Sequence, residues 1–280
     1  MELSSHQKRL VTAAVGLPVV LAAIFAGGWF LFLLMLIACV LGMAEYLRMA
    51  APNAGPGLRV AGGALAALTL LGFFRGGPAY GFGALLLAYW LENMGFLVRF
   101  ATAGQRGGER DGNSGDGGAG EGPRPGPIAA GLLYLPCSLG FFLTFSPTET
   151  LFALTAVIVA DTGAYYSGSI LGGPKIWPAV SPKKTWSGSL GGLFLTMAWC
   201  LCYGLILGQA SAWAWLGAGA AINVAAQFGD FYESALKRAA GVKDSGSLLP
   251  GHGGILDRID GLVLAAPAYA ALRSAHAFFG

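Results

Sequence analysis

Residues Ser234 to Asp260 read SALKRAAGVKDSGSLLPGHGGILDRID, and apolar segments lie on both sides of them. The run carries Lys237, Arg238, Lys243, Asp244, Asp257, Arg258 and Asp260, together with His252; Asp230 and Glu233 sit just upstream. Charged groups beside hydrocarbon are costly to desolvate, so they tend to be few, paired and functional. The fold therefore turns on whether the flanks belong to a membrane, and composition answers that. Of 280 residues, 55% are hydrophobic and 11% charged. A soluble domain carries about 25% charged residues, so this chain has too few to cover a water-facing surface. It reads as an integral membrane protein.

Working outward, apolar segments of bilayer length (about 17–25 residues for a core of about 30 Å) fall near 10–27, 29–47, 59–75, 79–98, 128–146, 148–166, 187–207, 211–230 and 255–278. The boundaries at Gly27-Gly28 and Ser146-Pro147 require very tight hairpins. A basic head before the first apolar run also fits a signal peptide, but the many later segments favour a retained helix. With the N-terminus inside, every Lys and Arg except Arg75 and Arg273 falls on one side, as the positive-inside rule demands. The expected fold is all-α, a polytopic membrane helix bundle of about nine spans with a cytoplasmic N-terminus and an outside C-terminus. Residues 1–101 form N-terminal transmembrane helices and 128–280 a C-terminal catalytic domain. Between them, 102–127 is glycine-rich, of mixed charge and without apolar period, the pattern of a flexible cytoplasmic linker.

Other features are bland. The small net charge of +3, spread over loops, argues against a nucleic-acid partner. Cys39, Cys137, Cys200 and Cys202 lie in apolar runs; the CxC of the last two lacks further ligands for zinc. Gly188 and Gly192 form a GxxxG, which signals close helix packing.

Three inside segments gather the informative polar groups: DTGAYYSG from Asp161, SPKKTWSG from Ser181, and the run from Asp230 to Asp260. Asp257 and Asp260, at i and i+3, share a helix face. They either complement a helix dipole or, with Asp230, offer the hard oxygen ligands that suit Mg²⁺. Lys237, Arg238 and Lys243 either snorkel to the interface or bind phosphate beside Gly253 and Gly254, whose backbone N–H groups can approach an anion. SPKKT lacks the GxxxxGK[ST] spacing of a P-loop; Lys183, Lys184 and Thr185 can still meet phosphate oxygens from the head of a helix. Asp161 and Tyr165, at i and i+4, are open between packing and binding. Carboxylates and cations on one membrane face point to phosphoryl or nucleotidyl transfer onto a lipid. A transporter remains the rival from another class.

The pattern S-x-L-K-R-x4-K-D-x-G-x2-L-P-x-H-G-G-I-x-D-R-I-D over Ser234–Asp260 resembles the signature of the phosphatidate cytidylyltransferases, or CDP-diacylglycerol synthases. DTGAYYSG, SPKKTWSG and the N-terminal Lys8-Arg9 before a Pro-containing apolar helix are similar to that family's segments, and the likeness is weakest over the first four spans and 102–127. The resemblance implies conversion of CTP and phosphatidate to CDP-diacylglycerol and pyrophosphate with Mg²⁺, at the cytoplasmic face of an inner membrane if the source is bacterial. On this reading Asp230, Asp257 and Asp260 are catalytic and hold the metal, with Lys237 and Arg238 also catalytic. Asp161, Ser181, Lys183, Lys184, Thr185, Lys243, Asp244, His252, Gly253, Gly254 and Arg258 bind substrate. A second, monovalent cation, a homodimer, and a related CTP-dependent enzyme acting on another lipid stay open. A CDP-alcohol phosphotransferase is disfavoured, because its motif spacing is missing.

Overall fold

The computed structural model describes residues 5–107, 127–249, 251 and 253–280; His252 and most of the expected linker, with Arg110 and Arg124, lie outside the described residues. The helices are α1 (Ser5–Ala26), α2 (Gly28–Ala50), α3 (Pro56–Gly76), α4 (Pro78–Gly107), α5 (Ile128–Leu132), α6 (Pro147–Leu171), α7 (Trp186–Leu207), α8 (Ala212–Ala239) and α9 (Leu256–Ala275). Each apolar segment picked out in the sequence falls on a helical element. Helix α4 runs on to Gly107, so the first residues of the 102–127 stretch are helical.

Both tight boundaries have a local cause. Gly27 (φ 59°) and Gly28 (φ 47°) turn α1 into α2 through the left-handed region, which costs glycine little. Ser146 caps α6 in a reciprocal box with Glu149, and Pro147 supplies the fixed φ of the first turn.

The structure corrects the all-α expectation in one place. Strand β1 (Lys175–Trp177) pairs antiparallel with β2 (Ser181–Thr185), placing Lys175 opposite Thr185 and Trp177 opposite Ser181. Ser181, Lys183 and Lys184 thus lie on a strand leading into α7, not on its first turn. Pro182 lacks an N–H and disfavours the α region for the residue before it, so the chain stays extended there. Thr185 ends the strand and caps the helix, its Oγ1 accepting from Gly188 N at 3.2 Å. The 128–146 segment also departs from expectation. It breaks into α5, a π turn at Leu133–Cys137 containing Pro136, and a 3-10 turn at Gly140–Thr144.

Helices α6, α7, α8 and α9 pack as consecutive neighbours. A Cβ on Gly188 would lie 2.6 Å from the Ala164 carbonyl oxygen, and one on Gly192 would lie 2.9 Å from that of Ala160. The GxxxG is thus the close α6–α7 contact that the sequence suggests. Gly229 of α8 likewise faces the Asp260 carbonyl and Gly261 of α9 with no room for a methyl. At the far end of α9, Arg273 pairs with Glu149 at 2.8 Å and donates to the Thr144 carbonyl at 2.9 Å.

One apolar core joins both halves, from Met43 and Leu47 of α2 to Trp215, Ile222, Val263 and Tyr269. The outward face is also hydrocarbon: Phe30, Ile170, Ile206 and Trp213 are exposed. In water such coverage would be one extended adhesive patch. Among the described residues α2, α3 and α7 are long and apolar enough to cross a membrane by length and composition alone, and shorter apolar helices accompany them. This is the build of an integral membrane helix bundle.

Candidate active site

The close α6–α7 contact and the hairpin before α7 open a cavity of about 460 Å³, lined by Asp161, Tyr165, Lys175, Lys183, Lys184, Thr185, Gln227 and Asp230, among others. Its walls come from the first two polar segments and the start of the third. Lys184 reaches across from β2 to Asp230 on α8, Nζ to Oδ2 2.5 Å, and its ammonium lies 4.4 Å from the centre of the Phe231 ring. Ser234 also donates to Asp230, at 3.1 Å. Lys175 donates to the Lys183 carbonyl at 3.2 Å, which holds a third lysine at the hairpin. Three lysines on one short hairpin have little apolar surface to cover. They suit an anion.

Because Gly229 lets α8 and α9 touch, Asp230 and Asp260 come within electrostatic reach of one another and of Asp161. Arg258 is in turn close enough for Asp161 to feel its charge.

Asp257 shares a helix with Asp260 but not its partners. Its Oδ2 accepts from Ser245 N (2.9 Å), Ser245 Oγ (2.9 Å) and Gly254 N (2.8 Å), while Oδ1 accepts from Lys237 Nζ (2.7 Å). Lys237 is also paired with Glu233, four residues earlier on α8 and buried. Burial opposes the charge on Lys237, yet its hydrogen bonds to Asp257 and Glu233 hold its pKa above the ordinary lysine value. Lys237 is therefore an internal cation held in a carboxylate pair, and it does not snorkel.

The remaining residues singled out in the sequence are scattered. Gly253 and Gly254 pack against the Asp257 carboxylate and the Glu45 carboxylate respectively. Arg238 is exposed and donates to the Val242 carbonyl at 3.4 Å, while Lys243, Asp244 and Arg258 are also exposed. None of these four, nor Ser181, belongs to the cavity wall. Sequence reasoning passed over Glu45, Ser245 and Gln227. Gln227 accepts from Ser189 Oγ at 2.5 Å and donates to Asn223, a polar ladder between α7 and α8. Glu45, a lone carboxylate inside the apolar α2, carried a signal that the desolvation cost alone makes informative.

Among the described residues no three His, Cys, Asp or Glu side chains are gathered closely enough to cage a metal ion unaided. Mg²⁺ does not need such a cage, since it binds through one or two carboxylates plus substrate phosphates and waters. The donors here suit it: all are hard oxygens, and Asp257 Oδ1, which accepts from Lys237, has a second lone pair.

The class these features define is an apolar helical bundle with a lysine-rich, carboxylate-bearing cavity. Comparison with known proteins narrows the class. The chain belongs to the cytidylyltransferase family, whose model matches residues 7–276. It is 44% identical over 122 residues to a phosphatidate cytidylyltransferase of Brucella suis, covering 44% of this chain and 45% of that one. A phosphatidate cytidylyltransferase of Thermotoga maritima is 40% identical over 146 residues, 49% of this chain and 54% of the other. One of Staphylococcus aureus is 44% identical over 119 residues, 42% and 45% of the two chains. The chain thus aligns with about half the length of these relatives.

Proposed function

We propose that the protein is a phosphatidate cytidylyltransferase, joining CTP and phosphatidate into CDP-diacylglycerol and pyrophosphate at the cytoplasmic face of a membrane. The observation that carries this reading is the meeting of Lys183, Lys184, Thr185 and Asp161 with Asp230 around one cavity. Its volume falls within the range of small-molecule sites, about 300–1,000 Å³.

The chemistry asks little of a protein base. A phosphate monoester is largely dianionic at neutral pH, with a second pKa of about 6, so a phosphatidate oxygen can attack the α-phosphorus of CTP directly. The new P–O bond forms as the bond from the α-phosphorus to the bridging oxygen breaks, and pyrophosphate leaves with that electron pair. The protein aligns two anions and offsets their charge. Lys183, Lys184 and Lys175 meet the polyphosphate from the hairpin, with Thr185 fixing the start of α7. One or two of the carboxylates Asp230, Asp257 and Asp260, completed by substrate phosphates and waters, would hold Mg²⁺, which supplies Lewis-acid polarisation of phosphate oxygens when bound. Lys237 holds the Asp257 carboxylate in place through its 2.7 Å contact to Oδ1. The exposed Arg238, Lys243 and Arg258 raise the local concentration of anionic substrates, an effect that salt screens.

The same reading gives nine spans, with the N-terminus and the cavity on the cytoplasmic side and the C-terminus outside. It is supported by the one-sided distribution of Lys and Arg. The test of function is incubation of the purified protein with phosphatidate, labelled CTP and Mg²⁺. Expected is labelled lipid with stoichiometric pyrophosphate, lost when CTP is replaced by ATP or Asp230 by Asn. Folded protein that releases no pyrophosphate with phosphatidate would contradict it.

A further inference from the structure

Glu45 lies in the first half of the chain, on α2, and is buried to 1% exposure. Among the described residues no cation pairs with its carboxylate. Instead Oε1 accepts from Ile255 N at 3.1 Å, and Oε2 accepts from Leu256 N and Ser245 Oγ, both at 3.0 Å. Helix α9 begins at Leu256, and its N-cap residue, Ile255, has no side chain able to accept a hydrogen bond. The first N–H groups of a helix need partners and favour an anion. Glu45 therefore caps α9 from another helix, more than 200 residues away in sequence.

Room has been left for it. A Cβ on Gly246 would lie 2.5 Å from Glu45 Oε1, and one on Gly254 would meet Oε2 and Ser245 Oγ at once. The Ser245 hydroxyl stands between Glu45 Oε2 and Asp257 Oδ2, 3.0 and 2.9 Å away, and its one proton serves either carboxylate in turn. The contacts run in a line: Glu45 to Ser245, Ser245 to Asp257, Asp257 to Lys237.

We propose that Glu45 is a positioning residue for catalysis. By clamping the start of α9 and the Ser245 loop, it fixes where the Asp257 and Asp260 carboxylates sit relative to the cavity. It touches no substrate. This rests on the cytidylyltransferase reading and deepens it, because it gives the N-terminal helices a part in the chemistry.

The test uses the full-length protein in detergent. Glu45→Gln keeps the size of the side chain but turns one acceptor into an N–H₂ facing N–H donors. Expected is a fall in kcat of about 10- to 100-fold, the usual cost of losing an outer partner of a working carboxylate, with the KM for CTP within about threefold of wild type. Hydrogen exchange should speed up at the Ile255 and Leu256 amides while the α6–α7 amides stay protected. Combining Glu45→Gln with Ser245→Ala should cost less than the product of the two single losses, since both act through one contact line. If Glu45→Gln does not fold, Gly246→Ala, whose methyl meets the Glu45 carboxylate, should give the same kcat-selective loss. Full kcat in folded Glu45→Gln or Gly246→Ala, or a loss confined to KM, would overturn the proposal. A wild-type protein with no cytidylyl transfer would instead overturn the functional reading on which it stands.

Discussion

Lys237 decides whether the signature is chemistry or membrane anchoring. In the sequence snorkelling stood as the alternative to a phosphate site; in the structure Lys237 is enclosed between Asp257 and the fully buried Glu233. Removing one partner of such a group leaves an uncompensated buried charge, at a cost on the order of 3–5 kcal/mol. Lys237→Ala should therefore lower the melting temperature sharply. Lys237→Met combined with Glu233→Gln should recover most of that stability, because the orphaned charge is gone, yet remain inactive. Recovery of turnover along with stability, in a thermal-shift and transfer assay on the same sample, would reduce Lys237 to a structural role. The i, i+4 spacing of Glu233 and Lys237 was legible in the sequence. What was not legible was that Asp257 would close the group from α9. Glu45 was hidden for the same reason: its partners are backbone N–H groups far along the chain, which carry no residue-type signal.

At the level of elements, glycine contacts set the spacing of the carboxylates. Gly229→Ala would drive a methyl into the Asp260 carbonyl, separating α8 from α9 where Asp230 and Asp260 approach. Turnover should fall by at least about tenfold, since small displacements of positioning groups cost up to about 100-fold. Gly217, on the same helix, faces open space. Gly217→Ala should keep full activity and gain about 0.5–1 kcal/mol from helix propensity alone. Equal activity in the two variants would show that the α8–α9 contact does not set the site. Helices were easily read because apolar runs of bilayer length admit few other meanings. The hairpin at 175–185 escaped because its strands are short, charged and interrupted by Pro182, with no alternation to detect. The break at 128–144 had a visible cause in Pro136, but an apolar run masked it.

For the whole molecule, composition gave the membrane class; the cavity is lined from the 161–168 and 181–188 segments and Asp230 rather than from the 234–260 signature, and the joining of the halves through α2 came only with three-dimensional structure. The nine-span arrangement predicts that a periplasmic reporter fused after Phe279 is active in a bacterial host, whereas one fused at Lys243 is silent. Activity at both points, or the reverse pattern, would refute the proposed sidedness. The central claim is transfer of the nucleotidyl group, and it is tested most directly by where the label sits in CTP. Parallel reactions with phosphatidate should receive CTP labelled at the α-phosphorus or at the γ-phosphorus. The account predicts labelled lipid from the α-labelled nucleotide alone, with the γ label recovered in pyrophosphate. Lipid labelled from the γ position would mean a CTP-dependent kinase and contradict the account.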